Sequence, residues 1–270
     1  MRDERAQKRL PAWRGMSVPG QAAVPRADDV ITSPDNEVAR RLRRLAQRRE
    51  PGEVLLEGPR VVREAAAAGL ALELLALRED VRFEADARRT VVLSDRVFKR
   101  VSDTVTPQGV MAIALRPPAT CAQALAAARA AGWPLLVLDG VQDPGNVGAI
   151  ARTAAAAGAP ALALLEGSAD PYGPKAVRAS AGNVFRLLVA PATAPDLEGV
   201  ELWGAAAEGG EPLAEAPVEK ASALVLGGEA HGLRVPVARR VTIPIDGDVE
   251  SLNVAAAAAV LLFELRRRLA

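Results

Sequence analysis

The 270-residue sequence predicts an α/β protein with two domains. Three observations carry that expectation. Short apolar segments of strand length alternate with helical segments along the whole chain. The candidate strands of the second half, Leu135–Leu138, Ala161–Leu165 and Leu224–Leu226, are apolar throughout rather than at every other residue. Such strands belong in a mostly parallel sheet covered by helices on both faces. A proline break, Arg116-Pro117-Pro118, divides the chain, and each half is long enough to bury a core of its own.

Residues 1–32 read as a flexible tail, because Pro11, Pro19, Gly20 and Pro25 interrupt any regular element. Ser33-Pro34 reads as a helix start with Ser at the N-cap and Pro in the first turn. Val38, Leu42 and Leu45 then share one face, surrounded by Arg40, Arg41, Arg43, Arg44, Arg48 and Arg49, and Pro51-Gly52 ends the helix. Val54–Leu56 is a strand, Pro59–Ala68 a helix closed by Gly69, Leu70–Leu77 and Thr90–Leu93 strands, Ser94–Val101 a short helix, and Val110–Leu115 a strand. The first domain thus spans 33–116 and a linker 117–122. In the second domain, 123–270, Leu135–Leu138 leads into a helix over Gly145–Ala157 stopped by Gly158. Ala161–Leu165, Val184–Val189, Leu202–Ala206, Leu224–Leu226 and Val241–Ile245 are strands, and Leu252–Leu269 is the closing helix.

Composition narrows the function. A single cysteine, Cys121, excludes an internal disulfide and fits a reducing, cytoplasmic setting. With one histidine, His231, the usual His/Cys zinc clusters are excluded, and no metal is expected. The first residues carry charge but no apolar core of signal-peptide length, and no apolar run reaches the ~18 residues of a membrane span. Residues 1–50 hold 12 Lys/Arg against 7 Asp/Glu, whereas the rest is net negative. A basic front end on a near-neutral protein suits an anionic partner such as nucleic acid, although a solvated helix face would look the same.

Three segments of the second half place Gly, Asn, Ser or Asp just beyond a strand end, where open parallel sheets bind ligands. Asp139–Thr153 reads as strand, loop and helix, with Asn146 near the helix start. Arg152, six residues on, is expected on the same crevice-facing side, where a guanidinium could hold a phosphate bidentately or could simply be a surface arginine. Leu226–Leu233 is a strand followed by a Gly-rich turn in which Gly227 and Gly228 let a ligand approach the backbone. It lacks the G-x-G-x-x-G dinucleotide fingerprint and the P-loop Lys-Ser/Thr, which argues against a nicotinamide oxidoreductase or a nucleotide triphosphatase. Ile243–Val254 runs from a strand through a polar loop to Ser251-Leu252-Asn253, with Ser251 as the expected helix cap.

These three segments, in this order, resemble the motifs of the SpoU/TrmH family of RNA ribose methyltransferases, of the SPOUT class. Asn146–Arg152 matches N-x-G-A-I-x-R, the turn through Gly232 matches the second motif, and Ile243–Val254 matches I-P-x-x-G-x-x-x-S-L-N-V without a gap. Val177–Arg186 resembles the segment between the first two motifs. Leu56–Ala65 and Thr106–Val110 resemble the substrate-binding domain found ahead of the catalytic domain in many members.

The resemblance implies a parallel sheet whose C-terminal part forms a deep trefoil knot, a rare exception to unknotted topology, and a homodimer with the first motif facing the partner's cofactor site. It implies S-adenosylmethionine as cofactor, held by backbone around Gly227, Gly228, Ile243, Ile245 and Leu252. Asn146, Arg152, Glu229, Ser251 and Asn253 match the family's polar catalytic positions, with Arg152 binding the target phosphate and polarising the 2′-hydroxyl, since free arginine stays protonated. His231 is a bystander in the second motif. Arg40, Arg41, Arg44 and Arg60 are expected to dock RNA through its phosphates. The first domain favours large-subunit (23S) ribosomal RNA as the substrate. Transfer RNA methylation and a non-catalytic ribosome-assembly factor are the alternatives.

Overall fold

The computed structural model describes residues 30–47, 52–116, 118–229, 231–247 and 249–270. The chain divides into two compact units. The tail to residue 29, Arg48, Arg49 and the end of the first helix lie outside the described residues.

The N-terminal unit is a five-stranded sheet of β1 (Val30–Ile31), β2 (Glu53–Glu57), β3 (Leu72–Arg78), β4 (Thr90–Leu93) and β5 (Val110–Leu115) in the order β1-β4-β3-β5-β2. β1, β4 and β3 run parallel, whereas β5 is antiparallel to both neighbours. Val30–Ile31, assigned by the sequence to the tail, are an edge strand, because two apolar residues suffice to add to β4. The helix predicted from Ser33-Pro34 starts later: residues 33–36 turn, the Asn36 side chain accepts from the Val38 amide at 2.9 Å, and α1 runs over Glu37–Gln47. α3 (Asp95–Val101) is capped by Ser94. Ala39, Leu42 and Leu45 of α1 pack with Val97, Phe98 and Val101 of α3 on one sheet face. α2 (Pro59–Ala67) packs on β2 and β5, where the alternating residues Val54, Leu56 and Ala112 are also buried.

This unit recruits a piece of the second half of the chain, Tyr172–Phe185. Within it α6 (Pro174–Ala179) packs on β2. Buried Tyr172 and Phe185 stack with centroids 6.0 Å apart. Arg178 donates to Asp103 at 2.9 Å and lies 3.8 Å from the buried carboxylate of Glu57, which also accepts hydrogen bonds from the Ser102 and Thr104 hydroxyls.

The C-terminal unit, Ala119–Pro171 and Arg186–Ala270, holds seven strands. They are β6 (Leu135–Asp139), β7 (Ala161–Leu164), β8 (Leu188–Pro191), β9 (Leu202–Ala205), β10 (Glu211–Pro212), β11 (Ala223–Gly227) and β12 (Arg239–Thr242). The order is β10-β12-β9-β11-β6-β7-β8 and every pairing is parallel. α4 (Cys121–Ala130) covers one face through Cys121, Ala124 and Ala128 against Leu135, Val137, Ala161 and Val225. α5 (Pro144–Ala157) and α7 (Val254–Leu269) pack on each other, and α7 also packs on β11. Burial on both faces explains why these strands read as unbroken apolar runs.

Several expectations are corrected. Residues 117–122 are not all linker, since Thr120 opens α4 with a capping box to Gln123. Val184–Val189 is no single strand: Asn183–Arg186 form a 3-10 turn before β8. The last strand ends at Thr242, which leaves Ile243–Ile245 in a loop.

The end of α7 is tied down by Arg268, which donates to the Ala216 carbonyl at 2.5 Å, to Leu213 and to Glu219, and which shares Glu264 with Arg267. Those two guanidinium groups hold the Glu264 carboxyl down at about 2, from its usual 4.5. A depressed carboxylate stabilises the fold above its unfolded value and loses that contribution as pH falls through the folded value. Glu264→Gln should therefore lower stability by about 1 kcal/mol at pH 7, the scale of a partly exposed pair. The gap in urea midpoint should narrow as pH drops below 4.5 towards 2; a gap independent of pH would contradict the assignment.

Candidate active site at the carboxyl edge of the parallel sheet

Val241, Ala205, Leu226, Leu138 and Leu164 stand in one register row across five strands. The residues that follow them in β12, β11 and β6 therefore leave from one edge. Strand succession reverses between β11 and β6, the switch point at which parallel sheets open a crevice. The first two polar segments singled out in the sequence start there, and the third starts at the same edge beyond β12, one strand further from β11.

Asp143 caps α5, its side chain accepting from the Gly145 and Asn146 amides at 2.6 and 3.0 Å. That cap sets Asn146 in the first turn. Asn253 caps α7, accepting from the Ala255 and Ala256 amides at 3.0 and 3.4 Å. Ser251, the expected cap, is exposed two residues earlier. The helix starts where the carboxamide can reach its free amides, and Asn serves there as well as Ser.

The cap oxygen of Asn253 leaves its Nδ2 to donate elsewhere. It reaches Glu229 Oε1 at 3.0 Å and Asn146 Oδ1 at 3.2 Å, and Asn146 Nδ2 donates to the same Glu229 oxygen at 2.7 Å. Three loops separated by 83 and 24 residues in sequence thus meet on one carboxylate oxygen. Glu229 Oε2 has no partner among the described residues and remains available as an acceptor.

Gly227 and Gly228 are required by close approach, but of the protein itself. A side chain at Gly227 would overlap the Gly232 backbone, and one at Gly228 the Gly140 carbonyl. The Gly228 amide donates to the Asp139 carbonyl at 2.9 Å, which joins the second loop to the first. Beyond β12, Ile243 and Ile245 are half-buried and Leu252 is 37% exposed. Among the described residues, no backbone hydrogen bond involves residues 245–252. Apolar side chains therefore stand beside backbone groups with no internal partner.

Arg152 does not join this cluster. Six residues on an α-helix amount to about 600°, or about 120° from Asn146 around the axis, so the expected common side is not shared. Its side chain is exposed and forms no hydrogen bond or ion pair among the described residues. His231 is exposed as well. In the N-terminal unit, Arg40, Arg44 and Arg60 are exposed, whereas Arg41 is ion-paired with Glu53. Sequence reasoning passed over Asp139 as a site residue and Arg234 altogether. Asp139 is 1% exposed and takes hydrogen bonds from the segment around Arg234. A separation of 95 residues leaves no local signal for that pair. No group of three or more potential metal ligands occurs among the described residues, and no helix there is long and apolar enough to cross a membrane.

A doubly covered parallel sheet with a polar cluster at its switch point defines a ligand-binding α/β domain, and comparison with known proteins specifies which. The profile of the SpoU rRNA Methylase family matches residues 134–263, and that of the MRM3-like substrate binding domain matches residues 36–112. The chain is 34% identical over 234 residues to the 23S rRNA (guanosine(2553)-2′-O)-methyltransferase RlmP of Bacillus subtilis, covering 82% of this chain and 91% of that protein. The AdoMet-bound rRNA methyltransferase from Sinorhizobium meliloti superposes with a TM-score of 0.72 at 26% identity, over 88% of this chain and 97% of that one. The AdoMet complex of the SpoU methyltransferase AviRb from Streptomyces viridochromogenes does so with a TM-score of 0.71 at 25% identity, over 86% and 98%. The chain belongs to the SpoU family of RNA methyltransferases.

The double use of Asn253 gives a test. Asn253→Ala should cost about 1 kcal/mol, the value of a helix cap. Asn253→Ser keeps an oxygen for the cap but lacks the carboxamide NH2 that bridges Asn146 and Glu229, and should stay within about 0.5 kcal/mol of the parent. Equal losses in the two variants, measured by urea unfolding, would mean that the contacts to Asn146 and Glu229 carry the stability instead.

Proposed function

We propose that this protein methylates a ribose 2′-hydroxyl of large-subunit (23S) ribosomal RNA, with S-adenosylmethionine as methyl donor. The observation that carries the proposal is the convergence of Asn146, Glu229 and Asn253 on one carboxylate oxygen, in a chain of the SpoU family.

The residues at the strand edge fit this cofactor. Ile243, Ile245 and Leu252 offer apolar contact to a purine, and among the described residues the backbone of 245–247 and 249–252 has donors and acceptors left over to read its edge. Gly227 and Gly228 keep the adjoining turn close to Gly140. When bound, S-adenosylmethionine supplies an already activated methyl group on a sulfonium.

The work left to the protein is alignment and handling of the hydroxyl proton. Asn146 and Asn253 hold Glu229 in one orientation through Oε1, leaving Oε2 to receive a hydrogen-bonded hydroxyl. Ser251, exposed beside Asn253, can hydrogen-bond the ribose. Arg152 binds the target phosphate and polarises the 2′-hydroxyl. Its exposure and its place away from the cluster support a role in a homodimer, where it completes the site of the partner subunit.

In this proposal RNA is received by the N-terminal unit, with Arg40, Arg41, Arg44 and Arg60 at its phosphates; Arg41 also pairs with Glu53. The catalytic unit is knotted in this reading. The protein works in the cytoplasm, where its substrate is.

Radiolabelled S-adenosylmethionine with unmodified ribosomal and transfer RNA pools tests the proposal. Label should appear in nuclease-resistant 2′-O-methylated dinucleotides of ribosomal RNA. Arg152→Ala should lower the rate by on the order of 10²–10⁴. Label confined to transfer RNA would move the substrate class. No transfer and no cofactor binding would leave a non-catalytic RNA-binding factor.

A further inference from the structure

Asp139, at the end of β6, holds the chain that follows β11 at two points. Its carbonyl accepts from the Gly228 amide at 2.9 Å. Its carboxylate, 1% exposed, accepts from the Arg234 amide at 2.5 Å, the Val235 amide at 3.0 Å and Arg234 Nε at 2.9 Å. The guanidinium goes on to donate to the Glu166 carbonyl beyond β7. Space for it is built in. Gly140 and Gly167 adopt φ of +71° and +84°, and a side chain at either would come within 3.1 Å of Arg234. Burying a carboxylate is costly unless it is fully hydrogen-bonded and paired, and here both conditions are met.

The two held points bracket Glu229. Gly228, immediately before it, is fixed by the Asp139 backbone, and Arg234-Val235, shortly after it, by the Asp139 side chain. The Gly232 amide donates to the Gly228 carbonyl at 2.8 Å and closes the turn between them. We propose that Asp139 and Arg234 are positioning residues that set this turn, and Glu229 within it, for S-adenosylmethionine. The guanidinium ties its own segment to the ends of β6 and β7 and touches none of the cluster on Glu229, so it acts through the turn rather than on the substrate. The inference rests on the methyltransferase reading above.

Arg234 is 44% exposed on its side chain, but its loss leaves the buried Asp139 carboxylate with only the two backbone amides, so each variant is read beside its own melting temperature. In Arg234→Met the dissociation constant for S-adenosylmethionine, measured by calorimetry, should rise roughly tenfold, the scale of one lost charge-assisted hydrogen bond. The KM for RNA should hold, the kcat at saturating cofactor should fall because Glu229 in the loosened turn receives the substrate hydroxyl, and amide exchange at Glu229 and Gly232–Val235 should quicken. Arg234→Lys should recover part of the affinity, because an ammonium can pair with Asp139 but cannot also span to Glu166. A parental dissociation constant in Arg234→Met overturns the inference. So does a weakening that follows a lowered melting temperature and is identical in Arg234→Lys. If the parent protein itself binds no S-adenosylmethionine, the functional reading fails, and the exchange rates still decide whether Arg234 holds the turn.

Discussion

Seven strands paired in parallel send every following loop out of one edge of the sheet, and the rest of the C-terminal unit answers to that constraint. Segments distant in sequence become neighbours because their strands end in the same register row. The two helix caps then convert proximity into geometry. Asp143 and Asn253 each satisfy amides that a helix start leaves open. In doing so they fix the first turns from which Asn146 and Asn253 reach Glu229. A polar cluster on exposed loops would ordinarily be loose. Here it is anchored to the ends of two long helices that pack on each other.

Much of this was legible in the sequence, for identifiable reasons. The apolar runs of β6, β7 and β11 announced strands buried on both faces. Asn146, Glu229 and Asn253 stood in motif positions whose spacing carried over whole. What failed to show was of three kinds. α4 is so rich in alanine that no apolar stripe stands out from its background, and only the Thr120-x-x-Gln123 box marked its start. Ser251 was chosen over Asn253 as a cap because both residue types cap helices, and a two-residue shift is below what pattern reading resolves. The Asp139–Arg234 pair is non-local and invisible without a fold.

Under the proposed function, the split between Arg152 and the Glu229 cluster is a division of labour. Within the cluster the Asn146 and Asn253 carboxamides are each bonded on both polar atoms, and only Oε2 of Glu229 is left open. The exposed arginine has no such company. A residue that must meet an external phosphate gains from being unengaged, whereas one that must hold an orientation gains from redundant bonds.

The placement of Tyr172–Phe185 in the N-terminal unit has a consequence for how such a protein can be taken apart. Among the described residues the chain passes between units three times, near residues 118, 171 and 185, rather than once. Two units joined by a single tether can be exchanged, duplicated or lost by one cut in the gene. These cannot. A fragment beginning at Ala119 would carry Tyr172, Phe185 and Arg178 without the surface that buries them or the carboxylates that pair with the arginine. Separating the two parts would therefore first require rebuilding that short excursion.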